Sequence, residues 1–417
     1  MPDRHVDHLL IGGGIASATC ARVLRDEGAQ GSILLVGREL DPPYHRPPVT
    51  KEFLRGASSR EDAYIDAPGW WEENDVELMT RTSVMSLDPD ARLATLSDKR
   101  TVEYDQALLA TGATVRRLSV EGAQLEGVHY LRTLGNSESL RRDVEGVERV
   151  VMVGGSYVGC EVAASLTELG KRCTIVMQES FVLERHFGSQ AGRFFQDVLE
   201  EHGIEVLGDR EVHRFEAAAD EPERIGAVVI TNGEVIDAQA VVAGVGAVPD
   251  VMLARRSGLE LGELGGVRCD SWLRTSSASV FAAGDMCEYD SVLHGRPMRI
   301  EHEEVAAAQG RTAALNMLGV DQPHREVPYF FSDLSDWVSL EYVGPASEWD
   351  RELVRGSMAE RRFSLWYVHE QRVVGVLSVD RPEDLDHARR LIAEGIEVSG
   401  ALDAIADPDA DLAHLGA

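Results

Sequence analysis

The sequence of 417 residues contains few cysteines and few lysines. Its five cysteines are scattered, with no C-x-x-C pair and no zinc-ligand spacing, so neither a disulfide scaffold nor a metal site is expected. This usage is typical of a protein from a reducing compartment. Lysine occurs only at Lys51, Lys99 and Lys171, and the remaining basic residues are arginine. A lysine that falls within a motif is therefore informative.

The sequence also lacks an excess of positive charge and any long apolar run. Its 41 basic and 71 acidic residues leave a net charge of −30, which disfavours nucleic acid and anionic lipid as partners. No stretch approaches the ~20 consecutive apolar residues of a membrane-spanning helix. The first apolar run passes directly into glycines and does not form a signal-peptide core. We therefore expect a cytoplasmic protein with no membrane and no nucleic-acid partner.

What the sequence does contain is one pattern that occurs twice. A length of 417 residues, at ~150 residues per domain, predicts about three domains. Two segments share the order strand, glycine turn, helix, strand. The first has these parts at residues 8–11, 12–14, 16–25 and 32–36, and the second at 150–153, 154–156, 158–169 and 174–176. Two such βαβ units predict an α/β protein with two nucleotide-binding modules.

The glycine turns resemble the phosphate-binding loop of a Rossmann unit, although neither matches it fully. Such a loop needs glycines for the tight turn, for the approach to a pyrophosphate and for packing of helix on strand. The first loop has Gly12 and Gly14 but carries Ser17 at the third position. The second loop has Gly154 and Gly159, with Ser156 in place of the middle glycine. Ser156 either narrows the approach to a pyrophosphate or contributes a hydroxyl to it.

Carboxylates follow three of the predicted strands. Glu39 and Glu179 each come shortly after the second strand of a unit, displaced from the position that binds an adenosine ribose. No arginine adjoins Glu179 in sequence to receive a 2′-phosphate, which favours NADH over NADPH. Asp285 ends the stretch V280-F-A-A-G-D, where it either meets a ligand at the end of a strand or caps a helix.

The C-terminal part of the sequence has a different pattern. Residues 363–368 and 373–377 are predicted to be paired strands around a turn at Glu370 and Gln371, and a helix is predicted over 382–394. These elements indicate a small third domain of the α+β class. The acidic segment 220–224 is predicted to be an exposed hairpin tip.

Together these elements resemble the flavoprotein superfamily with two dinucleotide-binding domains, and most of all its single-chain ferredoxin reductase branch. That branch includes putidaredoxin, rubredoxin and dioxygenase-ferredoxin reductases, and apoptosis-inducing-factor-like oxidoreductases. The resemblance rests on P43-Y-H-R-P-P-V-T-K51, A110-T-G-A113, G154-G-S-Y-V-G-C-E161, A282-A-G-D285, R299-I-E-H-E-E-V-A306 and P328-Y-F-F-S-D333.

The resemblance implies two Rossmann-like domains, as in glutathione reductase, and a small C-terminal α+β domain. The implied FAD-binding domain is discontinuous, over 1–113 and 240–322, with an NAD(H)-binding domain over 114–239 and the C-terminal domain over 323–417. Lys51 would stand beside flavin N5 as a cation paired with Glu161, and these two are the implied catalytic residues. The implied cofactor-binding residues are Gly12, Gly14, Ser17, Glu39, Arg46, Lys51, Ala110, Thr111, Gly112, Asp285, Glu303, Phe331, Gly154, Ser156, Tyr157, Gly159, Glu179 and Gly246.

The sequence departs from the pattern of the family at several positions. Arg38 and Met177 stand where the family usually has its two ribose-binding acids. Glu303, Tyr329 and Phe331 replace frequent tryptophans. Disulfide reductases of the superfamily need two cysteines just after the first unit, and the segment between residues 37 and 137 contains none, which excludes thiol chemistry.

Two functions are consistent with this resemblance. The first is a flavoprotein that accepts hydride from NADH on FAD and passes electrons singly to a [2Fe–2S] ferredoxin or a rubredoxin, which serves a P450 or a dioxygenase. Ferredoxins are usually acidic and would be repelled, unless arginines such as Arg299, Arg311 and Arg325 gather on one face. The alternative is an apoptosis-inducing-factor-like protein with slow oxidase activity, in which NADH switches partner binding. Either a monomer or a homodimer is expected.

Overall fold

The computed structural model describes residues 2–415. Its helices are α1 (Ile15–Asp26), α2 (Glu52–Arg55), α3 (Arg60–Ala63), α4 (Trp70–Glu73), α5 (Leu134–Val144), α6 (Tyr157–Glu168), α7 (Glu184–Glu201), α8 (Met252–Arg256), α9 (Glu303–Met317), α10 (Pro382–Glu394) and α11 (Leu402–Ala406), with a 3₁₀ helix at Pro47–Thr50. No helix within residues 2–415 is both long enough and apolar enough to cross a membrane.

The strands are β1 (Arg4–Ile11), β2 (Ile33–Val36), β3 (Val76–Met79), β4 (Val84–Asp88), β5 (Leu93–Leu96), β6 (Thr101–Leu109), β7 (Ala113–Val115), β8 (Val128–His129), β9 (Arg149–Val153), β10 (Arg172–Val176), β11 (Glu205–Leu207), β12 (Val212–Ala217), β13 (Ile225–Ile230), β14 (Val235–Asp237), β15 (Ala240–Ala243), β16 (Ala247–Pro249), β17 (Val267–Cys269), β18 (Val280–Ala282), β19 (Cys287–Ser291), β20 (Arg296–Met298), β21 (Tyr329–Leu334), β22 (Val338–Val343), β23 (Arg351–Ser357), β24 (Arg362–His369) and β25 (Arg372–Val379).

The chain divides into two compact units. The first comprises Met1–His45, Glu61–Thr114 and Val248–Phe330, and the second comprises Arg46–Arg60, Val115–Ala247 and Phe331–Ala417, within the described range. Residues 46–60, which hold the second half of the P-Y-H-R-P-P-V-T-K motif, therefore belong with the second unit. The division into FAD-binding, NAD(H)-binding and C-terminal domains stays a prediction.

The first unit is built on a sheet with the order β3-β2-β1-β6-β5-β4, to which β18 adds on β6. Strands β1, β2, β3, β6 and β18 are mutually parallel, and β4 and β5 form an antiparallel extension. Strand β2 is an apolar run, I33-L-L-V36, that is buried throughout, as expected for a strand covered on both faces. The predicted first βαβ unit is confirmed as β1-α1-β2.

A close helix pair covers this sheet. Helix α1 packs against α9, and Gly310 permits the approach, because a Cβ there would lie 2.2 Å from the carbonyl oxygen of Ala16. A second small sheet in this unit has the order β17-β19-β20.

The second unit contains a parallel sheet with the order β11-β10-β9-β15-β8. The predicted second βαβ unit is confirmed as β9-α6-β10. Strands β12, β13 and β14 form an antiparallel sheet beside it. The segment 220–224 lies between β12 and β13, and residues 220–223 are exposed, which confirms the predicted hairpin tip except at Arg224, which is half-buried.

The C-terminal part of the second unit is an antiparallel sheet with the order β21-β22-β25-β24-β23, packed with α10 and α11. The predicted strand pair is confirmed as β24 and β25. Glu370 and Gln371 both have positive φ, 45° and 68°, as a two-residue type I′ hairpin turn requires. The predicted helix over 382–394 is α10, which has proline in its first turn and ends at Gly395 in the left-handed conformation. The fold is therefore α/β with a C-terminal α+β part.

Candidate functional site

The first glycine loop ends in an open helix N-terminus. Gly12 has a φ of +127°, and a Cβ there would lie 2.0 Å from the carbonyl oxygen of Ala110, so only glycine fits. Gly14 is the N-cap of α1, and a Cβ on it would meet nothing within 4 Å. No side chain caps this helix, and its first turn holds no acidic residue. The free N–H groups and the positive end of the helix dipole therefore fit a phosphate group, as FAD would supply.

Other predicted residues lie at the same edge of the first sheet. Because β1, β6 and β18 are parallel, their carboxyl ends place Gly12, Ala110–Gly112 and Asp285 along one edge. The hydroxyl of Thr111 donates to the carbonyl oxygen of Asp250 at 2.6 Å, which fixes this loop. The first unit therefore fits a dinucleotide, because an open glycine loop and an uncapped helix N-terminus share one edge of the sheet.

Two predicted carboxylates of the first unit already have protein partners. Tyr44 donates its hydroxyl to Glu39 Oε2 at 2.6 Å. Glu303 Oε1 lies 2.6 Å from His45 Nδ1, and this hydrogen bond raises the pKa of His45. Arg38, which stands where the family has a ribose-binding acid, donates to Asp250 Oδ2 at 2.8 Å. The position of the Glu39 carboxylate is thus fixed by a hydrogen bond from Tyr44.

Ser17 and Arg46 also have defined surroundings. Ser17 is fully buried in α1, and its hydroxyl has no hydrogen-bond partner among the described residues. The hydroxyl that replaces the third glycine is therefore enclosed within the unit. Arg46 belongs to the second unit, where its Nη1 donates to the carbonyl oxygen of Arg132 at 2.8 Å.

The second glycine loop repeats the design of the first. Gly154 has a φ of +105°, and a Cβ there would lie 2.5 Å from the carbonyl oxygen of Gly244. A Cβ on Gly159 would lie 2.0 Å from the carbonyl oxygen of Gly154, so glycine lets α6 approach the loop. Ser156 is the N-cap of α6, but its hydroxyl donates to Gly244 at 3.2 Å and does not cap the helix. The N-terminus of α6 is uncapped and has no acidic residue in its first turn, so it too fits a phosphate.

Two further predicted residues flank this second loop. Tyr157 opens α6, and its ring lies 4.8 Å from the ring of His186 between centroids. Gly246 has a φ of +95° and open space around its Cβ position. Both lie in the second unit with Gly154, Ser156, Gly159 and Glu179.

The residues after β10 bear on the preference for NADH or NADPH. Met177 is buried, and its sulfur fills the space beside Gly155, where a Cβ would lie 2.1 Å from Sδ. Glu179 Oε1 lies 3.2 Å from Arg185 Nη2, and the Arg185 side chain is 76% exposed. Arg185 does not adjoin Glu179 in sequence, but the turn into α7 brings the two side chains together. The argument for NADH over NADPH loses its basis.

The second unit also contains a buried lysine that lies between two carboxylates. Lys51 Nζ lies 3.6 Å from Glu161 Oε1 and 2.8 Å from Asp333 Oδ2. The side chains of Lys51 and Glu161 are 8% and 10% exposed. The ring of Phe331 lies 4.7 Å from Lys51 Nζ, in the range of a cation–π contact. Sequence reasoning missed Asp333, although the motif P328-Y-F-F-S-D333 ends on it.

Hydroxyl groups hold Glu161 from both sides. Thr50 donates to Glu161 Oε2 at 2.6 Å, and Ser332 donates to Oε1 at 2.5 Å. Burial raises the pKa of Glu161, and the opposing effects of Lys51 and the two hydroxyls do not outweigh it. The neighbouring Cys160 is buried, and burial raises the pKa of its thiol, so this cysteine is chemically inert.

Comparison with known families matches almost the whole chain. Residues 6–310 match the family described as pyridine nucleotide-disulphide oxidoreductase. Residues 329–416 match the family described as reductase C-terminal.

Named relatives are similar over nearly their full length. The chain is 32% identical to putidaredoxin reductase CamA of Pseudomonas putida, over 94% of this chain and 92% of that protein. It is 34% identical to rhodocoxin reductase of Rhodococcus erythropolis, over 97% of this chain and 93% of that protein.

Solved structures share the fold. The ferredoxin reductase for the CYP199A2 system from Rhodopseudomonas palustris matches with a TM-score of 0.93 and 30% identity, over 99% of this chain and 100% of that chain. The covalent putidaredoxin reductase–putidaredoxin complex matches with a TM-score of 0.91 and 30% identity, over 100% of this chain and 98% of that chain.

Proposed function

The chain belongs to the pyridine nucleotide-disulphide oxidoreductase family, and from this we propose that it is a flavoprotein that takes hydride from NAD(P)H and passes electrons singly to a ferredoxin or rubredoxin. The proposal rests on two glycine loops, one in each unit, each of which leads into a helix with an uncapped N-terminus. Two dinucleotide sites on one chain suit a reaction between two dinucleotides. The relatives and structures named above are reductases of this kind.

The first unit supplies most of the proposed FAD site. Gly12, Gly14 and Ser17 form the loop and first turn of α1, and Ala110, Thr111, Gly112 and Asp285 line the same sheet edge. Glu39 and Glu303 belong to this unit as well. Arg46, Lys51 and Phe331, which the resemblance also implies as cofactor-binding residues, belong to the second unit. When bound, FAD takes up two electrons with a hydride and gives them up one at a time.

The second unit supplies the proposed NAD(P)H site. Gly154, Ser156, Tyr157 and Gly159 form its loop, and the N–H groups of α6 would bind the pyrophosphate. Glu179 would accept a hydrogen bond from a 2′-hydroxyl, and Arg185 would pair with a 2′-phosphate. The site therefore has a group for NADH and a group for NADPH.

Lys51 and Glu161 are the proposed catalytic residues. A buried ammonium stabilises negative charge strongly, because water does not screen it. Lys51 would therefore favour the reduced, anionic form of the cofactor, and it lies 2.8 Å from Asp333 and 3.6 Å from Glu161. We further propose that the protein is cytoplasmic and that its acceptor serves a P450 or a dioxygenase.

Consumption of NADH and NADPH by the purified protein tests this function. The flavin absorption spectrum should be present, and consumption should be slow in air and at least tenfold faster with a [2Fe–2S] ferredoxin or a rubredoxin. Slow consumption that neither acceptor accelerates, with a persistent long-wavelength absorption band, would contradict it and support the ligand-switched function of apoptosis-inducing-factor-like proteins.

A further inference from the structure

The buried cluster of Lys51, Glu161 and Asp333 holds one cation and two carboxyl groups. The ammonium lies 2.8 Å from Asp333 and 3.6 Å from Glu161, so the closer ion pair is with Asp333. The Asp333 side chain is 30% exposed, whereas that of Glu161 is 10% exposed. If both carboxyl groups were ionised, the cluster would carry a net negative charge in a poorly solvated place, which is costly.

The hydrogen bonds divide the two carboxyl groups by role. Both oxygens of Glu161 accept from neutral hydroxyls, those of Thr50 and Ser332. Asp333 accepts from the Lys51 ammonium through one oxygen and from Ser339 through the other. Asp333 therefore has the better cation contact and more solvent, whereas burial raises the pKa of Glu161.

We propose that Asp333 is a positioning residue that holds Lys51 as a cation and thereby leaves Glu161 as the carboxyl group that binds and releases a proton. This inference rests on the proposed function and extends it. Oxidation of NAD(P)H by two one-electron acceptors yields NAD(P)⁺, two reduced acceptors and one proton. Glu161 in its ionised form can accept such a proton and then release it to solvent.

No other charged group described near Glu161 competes for this role. Tyr157 and Cys160, on the same helix, are kept neutral because burial raises the pKa of both. Arg55, from the helix packed against α6, lies 3.4 Å from Glu168 and donates to Ser165. Lys51 and Asp333 are therefore the charges that set the protonation of Glu161.

Infrared titration of the FAD-bound protein tests the proposal. A protonated carboxylic acid has a carbonyl stretch that an ionised carboxylate lacks, so the band of Glu161 should disappear as pH rises and should be absent in Glu161→Gln. In Asp333→Asn, the ammonium is free to pair with Glu161, and the midpoint should fall by about one to three pH units. Asp333→Glu should restore the wild-type midpoint, and the exposed Asp336→Asn should leave it unchanged.

Two results would overturn the proposal. One is a midpoint in Asp333→Asn equal to that of the wild type, and the other is a band that persists in Glu161→Gln. Should Asp333→Asn fail to fold, Lys51→Gln gives the reverse test, because loss of the cation must raise the midpoint. The titration needs no electron acceptor. A protein that titrates as described but reduces no ferredoxin would therefore refute the proposed function and keep only the role of Asp333 in setting the protonation of Glu161.

Discussion

At the scale of single residues, the chain departs from its family at the two ribose positions and still provides polar groups nearby. Met177 fills the space beside Gly155 and offers no acceptor to a ribose. Glu179 and Arg185 form an exposed ion pair two and eight residues further along. An exposed pair of this kind contributes little to stability, so its members are available to a ligand.

Replacement of Arg185 should change coenzyme preference. In Arg185→Gln, the preference for NADH over NADPH, taken as the ratio of kcat/KM values, should rise by about tenfold, because a charge-assisted hydrogen bond to a 2′-phosphate contributes about 1.5–3 kcal/mol. Affinity for 2′,5′-ADP, measured by calorimetry, should fall in parallel. Arg193→Gln, on the same helix and stacked on Phe181, is the matched control. An unchanged ratio would remove Arg185 from the coenzyme site.

The residues that the sequence missed are those joined only by the fold. Lys51 and Asp333 are 282 positions apart, and nothing in the local pattern around either one indicates their contact. The contact of Arg185 with Glu179 likewise depends on the backbone turn before α7. Glycines were easier to predict, because their requirement for positive φ or close approach is a local property.

At the scale of elements, the two glycine loops place two helix ends beside parallel strands. The pattern of apolar strand, glycine turn and helix predicts the bounds of both βαβ units to within a few residues, because hydrophobic periodicity and glycine position are both local properties of the sequence. Gly159 lets the first turn of α6 pack closely against the glycine loop that precedes it.

Addition of a methyl group at Gly159 should disturb the second loop alone. In Gly159→Ala, the Cβ would collide with the carbonyl oxygen of Gly154, which should cost about 1–3 kcal/mol of stability and weaken NAD(P)H binding. FAD content should stay at the wild-type level. Gly146→Ala has open space and is the control. Denaturant unfolding and coenzyme titration measure both effects, and equal coenzyme affinity in Gly159→Ala and wild type would contradict the assignment of this loop.

A buried arginine ties the C-terminal segment to the antiparallel sheet. Arg355 Nε donates to Asp384 Oδ1 at 3.0 Å, and its guanidinium also donates to the carbonyl oxygens of Ala404 and Ala410. Arg355→Met should lower stability by about 3–5 kcal/mol, since it leaves a buried carboxylate with one cation fewer. The exposed Arg362→Met should cost less than 1 kcal/mol. Thermal denaturation followed by circular dichroism compares the two, and equal melting temperatures would refute the role of Arg355.

The same cluster predicts a pH dependence. Burial acts to raise the pKa of Asp384, but hydrogen bonds from Arg381 and Ser364 and the charge of Arg355 outweigh it, so the pKa is lowered. A carboxyl with a lowered pKa in the folded state stabilises the protein above its unfolded pKa of about 3.9, and this stability is lost as pH falls through the folded value. In Arg355→Met, the free energy of unfolding should therefore fall less steeply as pH is lowered below ~4. An unchanged acid slope would contradict this.

At the scale of the whole molecule, charge decides how the protein meets its acceptor. The net charge of −30 repels an acidic ferredoxin at long range. Arg299, one of the arginines considered for a docking face, is held by Glu301 and by the carbonyl oxygen of Asp285. The fold class and both βαβ units were predictable from the sequence. The identity of the acceptor was not, because docking depends on a surface that no motif encodes.

Salt should therefore assist the reaction with an acidic ferredoxin. Between ~0.01 M and ~0.15 M ionic strength the Debye length falls from about 30 Å to about 8 Å, and kcat/KM for the ferredoxin should rise several-fold. The rate with oxygen, which is uncharged, should stay constant. A rate with ferredoxin that falls as salt is added would show instead that a basic face steers the partner.

The proposed reaction is one in which electrons enter from a nicotinamide and leave singly to a ferredoxin-type protein. Its most direct test is anaerobic reduction of the protein with NADH or NADPH, followed by stopped-flow mixing with either a [2Fe–2S] ferredoxin or air. We predict rapid bleaching of the flavin, and then reoxidation at least tenfold faster by ferredoxin than by oxygen. Slow bleaching with a lasting long-wavelength band, and reoxidation that ferredoxin does not accelerate, would contradict the account.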